Sequence, residues 1–330
     1  MKSAQSIKKL QELVVNQITE EAKKIGKTTP INLYQPIDYT LNMGGKRLRP
    51  VMLLLACELF SGDVQNALPA AIAVEVFHNF TLLHDDIMDH AEIRRNMPAV
   101  HKKYSENVAI LSGDAMSIKA YQYLLTVDHP NIQEVTRLFS KTAIEVCEGQ
   151  QYDMDFESRL DVSIDEYLEM IRLKTAVLIA GSFKMGALLG NASLEDAERL
   201  YQFGINLGLA FQLQDDLLDV FADQDKFGKK IGGDIIANKK TFLLLQALAI
   251  ANREQKAELQ DWIDRKKFNP EEKINAIKNI YIDLKLQHIS QQKSNEFYQK
   301  AMEKIDAINV HSDRKQVIIE LAQMIMKREK

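Results

Sequence analysis

Two stretches of the sequence concentrate negative charge inside apolar surroundings: LLHDDIMDH at residues 82–90 and LQDDLLDV at residues 213–220. On a helix, residues three and four apart are rotated by only about 40–60°. Asp85, Asp86 and Asp89 therefore share one side, and so do Asp215, Asp216 and Asp219. Like charges at this spacing cost roughly 0.2–0.5 kcal/mol per pair. Both triplets also fall late in their apolar segments, where the helix dipole disfavours carboxylates. A solvated acidic helix end accounts for one such triplet, whereas two matching triplets call for a ligand that cancels the repulsion. Hard divalent cations with oxygen ligands fit, since the clusters lack the Cys or paired His expected around zinc. Mg²⁺ keeps waters and binds through one or two carboxylates plus substrate phosphates. The two clusters thus imply a phosphate-bearing substrate between them.

Cationic groups suited to that phosphate stand nearby in sequence. Arg94 and Arg95 follow the first triplet; GKKIGGD (228–234), with Lys229 and Lys230, and NKKT (238–241), with Lys239, follow the second. GGKRLRP (44–50) adds Lys46, Arg47 and Arg49 beside two glycines. Taken singly, each of these is a solvated surface charge; beside two acidic clusters they read as a diphosphate site. His78 precedes Asp85 by seven residues, about two helical turns, and so shares broadly the same face. Two readings of it stay open, a core histidine satisfied by its neighbours and a substrate contact.

The elements that must carry these groups are helices. The 330 residues include only 14 Gly and 7 Pro, too few for many turns, with 46% hydrophobic and 27% charged residues. Helical periodicity is expected over residues 1–25, 51–60, 106–126, 131–155, 164–190, 194–222, 240–252, 254–265, 270–284 and 288–328, and no hairpin or strand alternation stands out. SGDVQN (61–66) offers a turn and a cap before the segment that ends at DDIMD. The fold class is all-α, a single large helical bundle, with one domain over 1–330. A formal net charge of −4 gives no global basic field for nucleic acid. The longest apolar runs are too short to span a bilayer, and the N-terminus lacks a secretory apolar core, so a cytoplasmic protein is expected. Cys57 and Cys147 lack metal-ligand spacing and read as reduced, buried thiols.

With these motifs in this order, the chain resembles the trans-isoprenyl diphosphate synthases of the polyprenyl synthetase family. The resemblance runs over nearly the whole chain, from GGKRLRP to NKKT. LLHDDIMDHAEIRRNMPAVH is close to the family's DDxxD followed by RR, and GLAFQLQDDLLDV matches its second DDxxD. EGQQYD (148–153) and the KTA of IRLKTAVL (171–178) also fall where the family has motifs. The resemblance implies an isoprenoid synthase type I fold with a central catalytic cavity, commonly as a homodimer. It implies head-to-tail joining of isopentenyl diphosphate to an allylic diphosphate with Mg²⁺, three ions when substrate is bound. Asp85, Asp86 and Asp89 are then expected to bind Mg²⁺ on one wall, with Asp215 and Asp219 completing the metal site and Asp216 behind them. Arg94, Lys174 and Lys229 are expected on the allylic diphosphate, with Lys239 near the same mouth. Lys46, Arg49, His78 and Arg95 are expected on isopentenyl diphosphate, and Gln150, Asp153, Thr175 and Gln212 in a polar layer behind. The family often has Gly after the paired arginines; this chain has Asn96, which tolerates unusual backbone angles.

Under this resemblance the allylic diphosphate leaves, the isopentenyl double bond attacks the cation, and the departing diphosphate takes the proton, because no side-chain base stands out. Phe80 lies five positions before Asp85 and Phe77 eight, about 7 and 12 Å down the axis. Both rings read as the floor of the product cavity, with the smaller Thr81 beside them, or as core packing. An aromatic residue at Phe80 resembles geranylgeranyl diphosphate synthases, which gives a twenty-carbon product, with the fifteen-carbon farnesyl diphosphate as the alternative. Two rivals remain: a class I terpene cyclase, expected to carry a different second motif, and a non-catalytic subunit, expected to have lost an aspartate motif.

Overall fold

Each helix begins and ends where the sequence supplies the chemistry for it. Helix α1 (Lys2–Ile25) buries Ile7, Leu10, Val14, Ile18, Ala22 and Ile25, one stripe at helical spacing. Helix α2 (Ile31–Asn42) stops before Gly44 and Gly45, both at positive φ. Helix α3 (Leu48–Leu59) is buried without a break from Pro50 to Cys57, the all-round core helix its composition predicts. Asp63 then caps α4 (Val64–Met88) by accepting from the Gln65 N–H at 2.8 Å. The structure is a computed structural model that describes residues 2–159, 161–222 and 232–327.

The described residues contain one sheet, a hairpin of β1 (Ile93–Arg94) and β2 (Met97–Pro98) in register Arg94↔Met97. It corrects the expectation that no hairpin is present. Strands of two residues leave no alternation to detect, and the turn is made by Arg95 and Asn96, both left-handed (φ 51° and 61°), the pattern of a type I′ turn. After a short α5 (Val100–Lys103) come α6 (Glu106–Leu124) and α7 (Ile132–Ser158). The segment 164–190, expected as one helix, is interrupted. It is α8 (Ile164–Ile171), opened by a Ser163–Glu166 capping box, then a π-helical turn over Arg172–Ala176, then α9 (Val177–Leu189). Helix α10 (Leu194–Phe221) carries the second aspartate triplet.

Beyond it lie α11 (Gly233–Ile236), α12 (Phe242–Ile250), α13 (Arg253–Asp264), α14 (Pro270–Asp283), α15 (Leu286–Asp306) and α16 (Ser312–Met326). The helix expected over 288–328 is therefore two. The break falls where the Asn309 N–H leaves the helical ladder and donates to Asp196 Oδ1 at 3.2 Å. Cys57 is buried as expected, but Cys147 is exposed, on a solvent-facing position of α7.

The chain divides into two compact units. One comprises 1–142, 181–201 and 308–321; the other comprises 143–180, 202–307 and 322–330. In the first, α4 and α6 approach so closely that a Cβ on Gly113 would lie 2.2 Å from His84 Nε2, and α3 and α9 so closely that a Cβ on Gly186 would lie 2.0 Å from the Leu53 carbonyl oxygen. In the second, Leu217, Leu243, Leu259, Trp262, Ile277 and Tyr281 belong to one buried cluster beneath the second aspartate triplet's helix. No helix among the described residues is long and apolar enough to cross a membrane.

Candidate active site

The first aspartate triplet ends α4, and its members differ sharply. Asp86 is 2% exposed, Asp85 is half-buried, and Asp89, the C-cap, is exposed. Arg94, on the hairpin, lies against the buried member: its Nε donates to Asp86 Oδ1 at 2.9 Å, its Nη2 bonds the same oxygen, and Nη2 stands 3.6 Å from Asp85 Oδ2. Burial raises the Asp86 pKa, and the guanidinium only partly opposes it. Arg94, expected on a diphosphate, is thus already joined to the aspartates.

The neighbouring Arg95 sits in the hairpin turn. A left-handed non-glycine residue costs on the order of 1–2 kcal/mol, and a hydrogen bond from a charged donor contributes about 1.5–3 kcal/mol. Arg95 has such a bond, from Nη1 to the Gly44 carbonyl, with Asn79 Oδ1 at 3.5 Å. Gly45 is needed there, because side chains rarely adopt its φ of +128°, and a Cβ would also crowd the guanidinium carbon at 2.8 Å. Asn79 is fixed in turn: its Nδ2 donates to Glu75 Oε1 at 2.8 Å, and the same Oε1 accepts from Arg47 at 2.5 Å. Arg47 and Glu75 are both buried. Lys46 stands exposed beside them.

His78 lies on α4 one turn after Val74, with its Nε2 3.1 Å from Arg49 Nη1. Guanidinium nitrogens only donate, so Nε2 is the acceptor. Burial and then the charges of Arg49, Arg95, Arg47 and Arg94 hold its pKa well below the ordinary value, which keeps the ring neutral. Beside it on the same helix, Phe77 is buried, 5.4 Å from the Phe139 ring, which in turn meets Tyr121 at 5.0 Å. Phe80 is only half-buried, 5.5 Å from Phe77 and 4.8 Å from His84. Thr81, also half-buried, donates its hydroxyl to the His78 carbonyl at 2.8 Å.

The second triplet lies in the other unit and repeats the division of burial. Asp216 is 6% exposed, Asp219 half-buried and Asp215 exposed. Tyr167 donates to Asp216 Oδ2 at 2.5 Å, and Gln212 Nε2 to its Oδ1 at 2.9 Å. Gln212 accepts from the Thr175 hydroxyl at 3.0 Å, and Lys174 pairs with Asp153 Oδ2 at 2.5 Å. Lys174 and Thr175 both project from the π-helical turn, an arrangement that recurs at functional sites. Gly149 lets α7 reach it, since a Cβ would lie 2.3 Å from the Lys174 nitrogen. Gln150 is half-buried on α7. Lys229 and Lys230 lie outside the described residues.

Asp215, Asp216, Asp219, Lys174, Lys239 and Thr241 share the wall of one cavity of about 280 Å³. Lys240, from the NKKT segment, lines it too, whereas the polar lining residues Tyr167 and Asp234 had no assigned role in the sequence analysis. Asp234 stood in the quoted GKKIGGD, and its charge was the available signal; Tyr167 gave none. The Asp234 N–H donates to Asp219 Oδ2 at 3.1 Å. Burial, and then Asp216 and Asp219, push its carboxyl up to about 8, against the pull of Lys239; burial carries Asp216 up to about 6. The donor set is all oxygen and crowded, which suits a hard cation. Among the described residues no three acidic, His or Cys side chains enclose an ion by themselves.

The raised carboxyls fix a sign. Both folded pKa values lie above the ordinary 3.8, so the folded protein holds protons that the unfolded chain releases. Their contribution to stability is full at low pH and is lost as pH rises through about 6 and then about 8. In the absence of divalent cations, the melting midpoint is expected to fall as pH rises from about 5 to about 8.5, and Asp234→Asn should flatten the upper part of that fall. A midpoint that rises over the same interval, in thermal melts with chelator, would contradict this.

Comparison with known proteins agrees with the motifs. The polyprenyl synthetase family profile matches residues 30–281. A geranylgeranyl diphosphate synthase of Methanosarcina mazei is 48% identical over 222 residues, 67% of this chain and 68% of that protein. A geranylfarnesyl diphosphate synthase of Natronomonas pharaonis is 42% identical over 252 residues, 71% and 73% of the two chains. A crystal structure of a geranylgeranyl pyrophosphate synthase superposes with a TM-score of 0.90 at 41% identity, covering 97% of this chain and 99% of that one. With an all-helical fold and two aspartate triplets each set among cationic and hydrogen-bonding groups, the chain belongs to the polyprenyl synthetase family.

Proposed function

We propose that this prenyltransferase condenses isopentenyl diphosphate head-to-tail with allylic diphosphates, giving geranylgeranyl diphosphate as its main product. The observation that carries the reading is the second cluster, where Asp215 and Asp219 stand before a buried Asp216 in a cavity that also holds Lys174 and Lys239. Such a wall suits an anion brought in with its own cations. The relative named geranylgeranyl diphosphate synthase supports the product. The whole chain, 1–330, acts in this reading as a single catalytic domain.

Asp85, Asp86, Asp89, Asp215 and Asp219 would hold Mg²⁺, three ions when substrate is bound. Mg²⁺ supplies Lewis-acid stabilisation of the charge that develops on the leaving diphosphate. Arg94, Lys174, Lys229 and Lys239 hold the allylic diphosphate, while Asp216 and its Tyr167 and Gln212 donors brace the wall behind. Lys46, Arg49 and Arg95 hold isopentenyl diphosphate, and neutral His78 orients the Arg49 guanidinium. The allylic C–O bond breaks and its electron pair leaves with the diphosphate. The isopentenyl double bond forms the new C–C bond, and the proton passes to the departing diphosphate. The apolar helix faces exclude the water that would quench the cation.

Phe80 is the floor of the product cavity, since it is half-buried while Phe77 belongs to the Phe139–Tyr121 stack. A homodimer is part of the proposal, and α6 supports it. Leu111, Ile118 and Leu125 recur every seven residues and are 58%, 61% and 68% exposed, one apolar stripe suited to a second copy. A cytoplasmic location completes the reading, in keeping with the free thiols of Cys57 and Cys147.

Purified chain with Mg²⁺, isopentenyl diphosphate and an allylic primer is expected to yield a dominant twenty-carbon product. Asp215→Asn should lower kcat on the order of a hundredfold, the scale of losing one charge-stabilising group. No elongation from any primer would overturn the proposal and point to a subunit awaiting a partner. Phe80→Ala should shift the distribution to twenty-five carbons or longer; an unchanged distribution with activity retained would remove Phe80 from the floor. Sedimentation should give the mass of two chains, reduced to one by Ile118→Glu with Leu125→Glu, and a wild-type mass of one chain would end the dimer reading.

A further inference from the structure

Lys273 lies near the start of α14 and is fully buried, at 0% exposure. Lysine is rarely buried without an anion beside it, and a cation near a helix N-terminus also opposes the dipole. The partners of this ammonium are neutral. Nζ donates to Asn238 Oδ1 at 2.6 Å and to the Ile236 carbonyl at 3.3 Å, and it lies 4.3 Å from the Phe268 ring centroid. Burial holds its pKa below the ordinary lysine range. Packing alone gives no reason for the charge, since an apolar side chain of similar length fills the same space without desolvation.

What the ammonium touches gives the reason. Asn238 is left-handed, with φ of 54°, and its Nδ2 donates to the Ile263 carbonyl at 3.2 Å. Its side-chain amide is therefore held at both ends. The backbone closes around it: the Lys239 N–H donates to the Asp234 carbonyl at 3.0 Å, and Lys240 Nζ reaches the Asn238 carbonyl at 3.4 Å. Lys239 and Lys240 follow Asn238 directly and line the cavity with Asp215 and Asp219. Long lysine side chains on an unheld turn would lose more freedom when a ligand orders them.

We infer that Lys273 is a positioning residue for diphosphate binding: through Asn238 and the Ile236 carbonyl, it fixes the turn that brings Lys239 and Lys240 to the cavity. The inference rests on the reading of that cavity as the allylic diphosphate site.

Steady-state kinetics of the full chain with Mg²⁺, varying each diphosphate separately, tests it. Lys273→Met is expected to raise KM for the allylic diphosphate about tenfold and KM for isopentenyl diphosphate less than about twofold. Its melting midpoint should match or exceed that of the parent. Lys239→Ala is the companion variant, and Lys273→Met added to it should cost less than about threefold more, because both act through one contact. An unmoved allylic KM in Lys273→Met, with a raised one in Lys239→Ala, overturns the role of Lys273 alone. Unmoved values in both variants overturn the diphosphate reading of the cavity, and the role with it. Equal rises in both KM values with a lowered midpoint mark a residue that only supports the fold, and also overturn it. Should Lys273→Met not fold, Asn238→Gly keeps the left-handed turn and removes the amide acceptor. It is expected to give the same KM split, and an unmoved allylic KM there overturns the inference.

Discussion

Carboxylates gathered at the ends of helices must be kept from repelling one another, and much of the local architecture answers to that constraint. In both triplets the middle aspartate is buried and takes the neighbouring donors, Arg94 for Asp86 and Tyr167 with Gln212 for Asp216. The flanking aspartates are less enclosed, half-buried or exposed. The buried member is therefore a strut held by its neighbours. The hairpin at Ile93–Pro98 delivers the strut's partner in one unit, and α8 delivers it in the other.

The two units solve the same problem with different means. Around Asp86 the solution is cationic and depends on unusual backbone. Arg47, Arg95 and Asn96 are left-handed, Gly44 and Gly45 open the space, and the Arg47–Glu75–Asn79 network ties α3 to α4. Around Asp216 the solution is mostly neutral, a hydroxyl and an amide, with Thr175 holding the amide. A neutral setting gives less compensation for burial, which is why Asp216 and Asp234 lie so far above the usual carboxylate range.

The sequence made the charges and most helices legible because their signals are local. Helical period places three aspartates on one side, and α1 and α3 bury the residues their patterns predict. Which of two adjacent aspartates is buried is a different matter. It depends on the phase of α4 and α10 against their neighbours, and no spacing within the motif carries that. The hairpin was hidden because Arg95 occupies a turn position where Asn or Gly is the usual signal. Tyr167 and Lys273 gave no sign of their roles. One reads as a helix aromatic and the other as a solvated charge within EEK, and only tertiary packing makes them partners of the second cluster's wall. The Asn309 break was equally silent, since its cause is a carboxylate more than a hundred residues away.

The π-helical turn at Arg172–Ala176 has a consequence for how this wall can vary. A π turn holds one residue more than an α turn, so it acts as a phase shifter in the chain. Residues before and after it are indexed to different clocks, and Lys174 and Thr175 stand at the point where the count changes. Substitutions can alter the side chains shown there without disturbing that count. Loss of a single residue there would return the turn to the ordinary helical count, keep the two flanks in their relation, and remove one of the side chains that the wide turn presents. The turn thus hides one residue from the helices on either side, and a deletion would change what the wall displays rather than the course of α8 or α9.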